Sequence, residues 1–395
     1  MKIVFVSNYL NHHQNPFCRS LIEQLNKEDS FTFIQTQPME EERVSMGWGL
    51  NIADYDYARC YYDSPDECQQ MIDDADVMIF GGVEDEKYVA NRLKENRTVI
   101  RISERIYKEG QWKCISPRGL MKKYHDHIRY KNRNVYLMCA GGYVASDFNL
   151  IGAYPGKMLT WGYWPEFENL DKNLFFDKDE KKIRILWAGR MIDWKHPEHA
   201  IAVAEALKAA DIKFDMVMAG DGNLFDEIKE MSHEKGLDNI IFPGFMKPQE
   251  IRDLMKQSDI FLFTSDFKEG WGVVLNEAMN SGCAVVAGSG IGAVPTLLNH
   301  KENGMVYKNG HVDELIKYVL ELVEDKNLCR KLGQNAYDSI KNNWTPDIAA
   351  KNFIGLINEI KTGTNSIVNE GPASRAEIVS PSRGYKYTRR KKYSS

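Results

Sequence analysis

The feature that most constrains this chain is a rhythm. Short β-branched apolar runs, KIVFVSN (2–8), SFTFIQ (30–35), DVMIF (76–80), TVIRIS (98–103) and NVYLMCA (134–140), are separated by helix-period stretches such as 17–25 and 85–96. The runs do not alternate apolar with polar residues. Strands buried on both faces have that pattern, so it predicts a parallel sheet with helical crossovers. The rhythm stalls in the charged, aperiodic stretch 165–182. It then restarts with IRILWAG (183–189), FDMVMAG (214–220), NIIFPG (239–244), IFLFTS (260–265), CAVVAG (283–288) and GMVYK (304–308). Between these runs, 249–258 and 312–325 each gather their apolar residues on one helical face.

The expected architecture is α/β, with two Rossmann-like doubly wound domains facing a central cleft. The first spans 1–165 and the second 183–345, with a linker at 166–182, a C-terminal helix at 346–361 and a disordered basic tail at 362–395. In such sheets ligands sit at the carboxyl ends of the strands, and a cleft between facing domains is the expected site. A length of 395 residues agrees with about two domains.

A net charge of −5 argues against a general nucleic-acid binder. The seven cysteines form no C-x2-C pair, so they read as reduced thiols in a cytoplasmic protein. No apolar run approaches the roughly 18 residues of a membrane span. The opening MKIVFVSNYLNHH is too short in apolar length for a signal peptide and reads as a first buried strand.

The most informative stretch is SDFKEGWGVVLNEAMNSGCAVVAG (265–288). Glu269 opens a loop after a buried strand, Gly270 and Gly272 flank Trp271, and a helix begins near Val273 and carries Glu277. Glycines allow close backbone approach to a ligand, and a helix start offers N–H donors to an anion. A carboxylate accepts two hydroxyls at once, so Glu269 and Glu277 suit the vicinal diols of ribose and hexose. A solvated helix face also produces a glutamate pair at this spacing. In AGRMIDWKHPEHAI (188–201), Arg190 stands at a strand end and Lys195 just before a helix. Two cations at such a junction can neutralise a diphosphate without a metal.

Taken in order, Arg190…Lys195, Gly220-Asp221-Gly222, Phe242-Pro243-Gly244 and Glu269-x7-Glu277 resemble family 4 retaining glycosyltransferases of the B-type (GT-B) fold, most clearly over 183–345. The first half is similar to a bacterial polysaccharide-assembly branch through NYLNHHQNPF (8–17), ISERIY (102–107) and WGYWPE (161–166).

The resemblance implies roles. Arg190 and Lys195 would hold the donor diphosphate, and Glu269 with the Gly270, Trp271, Gly272 and Val273 backbone would hold the sugar and phosphate. Glu277 would take the ribose diol, and Gly244, Phe245 and Met246 would border the nucleobase. On the other side of the cleft, Asn8, His12, His13 and Glu104 stand where many members carry a glycine-rich loop and a histidine. Glu104 is a candidate for the acceptor hydroxyl or the oxocarbenium-like centre.

The implied activity is transfer of a hexosyl unit from a nucleotide diphosphate sugar to a glycan or polyprenyl-diphosphate-linked acceptor, with family frequency favouring UDP. The alternatives are an enzyme acting on the nucleotide sugar alone, such as a 2-epimerase, and a non-catalytic nucleotide-sugar-binding subunit.

Three patterns are set aside. Gly288-Ser-Gly290-Ile-Gly292-Ala293 matches a dinucleotide fingerprint but follows a late strand, so it reads as a tight turn. The D-x-D triplets at 54–56, 74–76 and 177–179 and His125-Asp-His127 lack metal-site context, so no required metal and no other cofactor is expected. Residues 101–134, by contrast, carry ten Lys/Arg against three acids, beside a stripe of Leu120, Met121, Tyr124 and Ile128. This stretch, chiefly 113–133, and the basic tail at 383–392 are candidates for peripheral contact with an anionic membrane. A solvated helix with its stripe packed on the sheet is the alternative.

Overall fold

The computed structural model describes residues 1–45, 47, 49–171, 182–363 and 368–390. The chain forms two compact units. The first comprises Met1–Glu166 with Asn343–Ser380, and the second Phe167–Asn342 with the residues from Pro381 onward.

The first unit is built on seven parallel strands: β1 (Lys2–Ser7), β2 (Ser30–Gln35), β3 (Ala58–Cys60), β4 (Val77–Gly81), β5 (Thr98–Ser103), β6 (Val135–Ala140) and β7 (Met158–Trp161), in the order β3-β2-β1-β4-β5-β6-β7. The second has six: β8 (Ile183–Ala188), β9 (Phe214–Ala219), β10 (Ile240–Gly244), β11 (Ile260–Phe263), β12 (Ala284–Gly288) and β13 (Met305–Tyr307), in the order β10-β9-β8-β11-β12-β13. Both sheets follow the Rossmann order, with helices as crossovers, and each reverses direction of winding next to its first strand. That switch point lies between β1 and β4 in one unit and between β8 and β11 in the other.

Each core is what the apolar runs predict. Ile183, Ile185, Trp187, Met216, Met218, Ile260 and Val286 sit under the helices Glu198–Ala209 and Val312–Glu324. In the first unit Val4, Val6, Met78, Phe80, Val99 and Leu137 do the same beneath Pro65–Asp74 and Lys87–Lys94. All seven cysteines are free thiols and five of them are buried.

The helix expected at 346–361 is Pro346–Thr362, and it packs on the helix Asn15–Gln24 of the first unit. One expectation needs correction. The tail expected to be disordered is packed over 368–390. Ser374 O accepts from Thr160 N (2.7 Å) and Ala376 N donates to Met158 O (3.0 Å), so the segment covers the exposed edge of β7. Beyond it, the helix Pro381–Thr388 lies against β13 and Val294–Leu297, with Tyr385 hydrogen-bonded to Glu314. Residues 172–181 of the expected linker, and 364–367 and 391–395 of the tail, lie outside the described residues.

Candidate functional site

The loops that follow β8 and β11 meet at the switch point of the second sheet. Trp187 Nε1 donates to Thr264 Oγ1 (2.8 Å), Thr264 Oγ1 donates to the Lys195 carbonyl (2.6 Å), and Asp266 N donates to the Trp194 carbonyl (3.0 Å). These bonds fix the turn Asp193–Lys195 so that the Lys195 ammonium ion-pairs with the Glu269 carboxylate, both side chains being largely buried. Lys195 Nζ also lies 4.7 Å from the Trp194 ring centroid and 5.7 Å from that of Phe263. Arg190, in the same loop, is exposed and carries no ion pair among the described residues.

Neighbouring turns brace these loops. Gly220 and Gly292 have space for no side chain, because a Cβ would stand 1.8 Å from the Gly189 carbonyl oxygen and 1.7 Å from that of Gly270 respectively. Gly292 N donates to the Glu269 carbonyl (3.2 Å) and Ala293 N to the Trp271 carbonyl (2.9 Å). The glycine-rich run 288–293 is thus a tight turn, as expected, and it supports the loop that carries Glu269. Trp271 is buried, and its Nε1 donates to Asn276 Oδ1 (2.8 Å), tying the loop to the helix Val274–Asn280. At the end of β10, Gly244 has φ of 75°, Phe245 is exposed and Met246 is half-buried.

Glu277 is buried in the helix Val274–Asn280, and burial pushes its carboxyl up to about 7 against the pull of Arg252. Arg252, from the helix Pro248–Gln257, places Nη1 3.5 Å from Glu277 Oε1 and Nε 3.8 Å from Glu168 Oε1, while Lys256 pairs with the same Glu168 (2.5 Å). Sequence reading missed Arg252, since nothing in a polar helix face twenty-five residues from Glu277 marks it out.

A second cluster was also missed. His196, at φ of 51°, bonds through Nδ1 to Glu198 (2.8 Å) and stands 3.7 Å through Nε2 from Asp266. The Asp266 and Glu198 carboxylates on either side of the ring, opposed by burial, raise its imidazolium to about 9. Ligand atoms of His196, Glu198 and His199 lie within 4.8 Å of one another. The two rings are stacked 8° from parallel at 4.8 Å, however, whereas two imidazoles on one ion need planes that intersect at it.

The remaining candidates lie in the first unit. Asn8 follows β1 and accepts from Ser7 Oγ (3.2 Å), and the His12 and His13 rings stand 3.7 Å apart in the same loop. Glu104 follows β5, pairs with Lys108 (2.6 Å) and accepts from Tyr163 Oη (2.9 Å). Beside it Arg105 turns inward onto fully buried Asp147, which also accepts from Tyr107 N (3.1 Å) and Gln111 Nε2 (2.8 Å). The ISERIY segment is therefore an anchor through Arg105 that holds Glu104 at the strand end. The structure gathers Arg190, Lys195 and Glu269 in the two switch-point loops of the second unit and sets Glu277 and Gly244–Met246 on adjoining elements of it.

The fold class is GT-B, two parallel-sheet Rossmann-like units. Among solved structures that share it, HepE of Anabaena, determined in complex with UDP, superposes with a TM-score of 0.67 at 15% identity, over 91% of this chain and 100% of that one. Residues 171–339 match the family model of glycosyl transferases group 1. An uncharacterized glycosyltransferase of Methanocaldococcus jannaschii is 27% identical over 178 residues, 45% of either chain. The N-acetyl-alpha-D-glucosaminyl L-malate synthase of Bacillus anthracis is 29% identical over 140 residues, 35% of either chain. The matched stretch thus spans a third to a half of these relatives' length.

Proposed function

We propose that this chain is a retaining glycosyltransferase that moves a hexosyl unit from a UDP-sugar to a glycan or lipid-linked glycan acceptor in surface polysaccharide synthesis, without a required metal. The observation that carries the reading is the Lys195–Glu269 pair at the switch point of the second sheet, where an open α/β sheet receives its ligand.

Lys195 and Arg190 would neutralise the diphosphate. The leaving nucleotide gains charge in the transition state, and cations already in place stabilise it most there. As the diphosphate draws Lys195 away, the freed Glu269 carboxylate accepts the sugar hydroxyls. Glu277 takes the ribose diol, with Arg252 favouring its ionised form. Phe245, exposed after β10, offers a ring for the base. Retention follows by analogy from front-face transfer, in which a leaving phosphate oxygen takes the acceptor proton.

Thermal unfolding against UDP-, GDP-, ADP- and TDP-sugars, with and without EDTA, tests the reading. A ligand at a hundred times its Kd stabilises by about 2.7 kcal/mol. The expected result is a rise with UDP-sugars that EDTA leaves unchanged, followed by acceptor-dependent release of UDP. No rise with any nucleotide sugar overturns the donor site. Donor conversion without acceptor identifies an enzyme acting on the nucleotide sugar alone, and binding without turnover on any acceptor identifies a binding subunit.

A further inference from the structure

The segment between β5 and β6 departs from the packing rules of the rest of the chain. Its helix Pro117–Asp126 buries none of its residues, although Leu120, Met121 and Tyr124 fall on one arc of it. These three side chains are 42%, 66% and 51% exposed, and the preceding turn Gln111–Ile115 adds Trp112 at 67% and Ile115 at 79%. Of the twelve exposed large apolar side chains among the described residues, five stand in these thirteen positions. The alternative of a stripe packed on the sheet holds for Ile128, which packs against the core, but not for Leu120, Met121 and Tyr124. An apolar patch of this kind, continuous in sequence and edged by charge, marks a contact surface.

The charges around it are unevenly satisfied. Arg101 and Arg105 point inward onto Glu86 and Asp147. Lys108, Lys113 and Lys122 pair with Glu104, Glu109 and Asp126, which uses every acid of the segment. Arg118, Lys123, Arg129, Lys131 and Arg133 are left without an ion pair among the described residues, and all but the half-buried Lys123 are exposed. On the helix, Arg118 and Lys122 lie on one side of the apolar arc and Lys123 on the other.

We propose that the turn at 111–115 and the helix Pro117–Asp126 form a docking face for an anionic lipid bilayer. Trp112, Ile115 and Met121 enter the headgroup boundary, and the unneutralised cations lie over lipid phosphates. Charge complementarity selects this occupant. Five uncompensated cations in a chain of net charge −5 complement a dense anionic surface, and the apolar arc between them matches the boundary beneath it. Ten helical residues are too few to span a bilayer, so the helix lies in the interface plane, where tryptophan is favoured. The basic tail contributes less than its composition implies, since Arg389 is spent on Glu314 and Tyr318.

Co-sedimentation of the full chain with vesicles tests this, using phosphatidylcholine alone and phosphatidylcholine mixed with phosphatidylglycerol. The expected result is partition onto the mixed vesicles only, weakened by salt. Trp112→Ser with Met121→Ser, and separately Arg118→Glu with Lys131→Glu, each lower it about tenfold or more, and both pairs keep wild-type thermal unfolding and nucleotide-sugar response. Equal partition on both vesicle types, or none on either, overturns the proposal. So does concentration-dependent self-association without lipid that the Trp112/Met121 pair abolishes, since the face then joins two copies of the chain. Because the readout is lipid binding, the result stands apart from that of the donor-site experiment.

Discussion

The Lys195 ammonium and the Glu269 carboxylate, 74 positions apart in sequence, form an ion pair with side chains only 13% and 12% exposed. Each neutralises the other, so removing one leaves a nearly buried charge without its partner. A double-mutant cycle reads this directly. Lys195→Ala and Glu269→Gln are each expected to lower turnover by about 10²-fold. The double variant should lie close to the single ones, because both act through one unit. Losses that multiply would mean that the two side chains work independently and that the pair is incidental to the reaction.

Glu277 supplies a pH signature. Burial raises its carboxyl to about 7 against the pull of Arg252, while the accepting of two hydroxyls calls for the ionised form. Donor affinity should therefore fall as pH drops below about 7, and calorimetric titration with a UDP-sugar from about pH 5.5 to 8.5 checks it. Glu277→Gln should flatten this dependence, and Arg252→Gln should move it to higher pH by removing the counter-charge. Stability runs the other way. The folded pKa exceeds the unfolded one, so this group costs stability as pH rises from the ordinary carboxylate range to about 7.

Gly292→Ala tests the brace behind the loop that carries Glu269. The new methyl would stand 1.7 Å from the Gly270 carbonyl oxygen, a backbone atom that moves only with its loop. The expected cost is about 1–3 kcal/mol of stability, together with loss of the thermal response to nucleotide sugar. A variant that unfolds earlier yet responds fully would separate the turn from the donor site.

How much of this was legible in the sequence depends on the kind of force at work. All six strands of the second unit were visible, because residues such as Ile185, Met216 and Val286 are buried on a sheet covered on both faces. β3 and β7 were not, since β3 (ARC) carries a charge between two small residues and Thr160 interrupts the apolar residues of β7 (MLTW). The tail reads as disordered because it has few large apolar residues. It is held instead by backbone pairing along β7 and by small buried groups at Ala373 and Ser374, which composition does not register. The cations and carboxylates of the switch-point loops stand out through their strand-to-helix positions. The partners that set their chemistry, Arg252 for Glu277 and Asp266 for His196, come from elements distant in sequence and are fixed only by the fold.

His196 ties the loop of Lys195 to the loop of Glu269, and it titrates. The carboxylates of Asp266 and Glu198 beside it raise the imidazolium to about 9, with burial opposing them. Burial raises both carboxylates, but His196 together with backbone N–H donors and the neighbouring positive charges leaves them below their ordinary range. His199, stacked on the His196 ring, is lowered chiefly by its own burial, so the positive charge rests on His196. A histidine with a raised folded pKa contributes stability that is complete below its unfolded value of 6.5 and is lost as pH rises through about 9. The contribution is of order 1–2 kcal/mol once the partial exposure of the ring is allowed for. Thermal unfolding followed from about pH 6 to 10 should show that decline in the wild-type chain. His196→Asn should remove it, because asparagine tolerates the left-handed backbone at this position but carries no charge. A decline of the same size in both proteins would place the titrating group elsewhere and leave the two loops joined by the Thr264 and Asp266 hydrogen bonds and the Lys195–Glu269 pair.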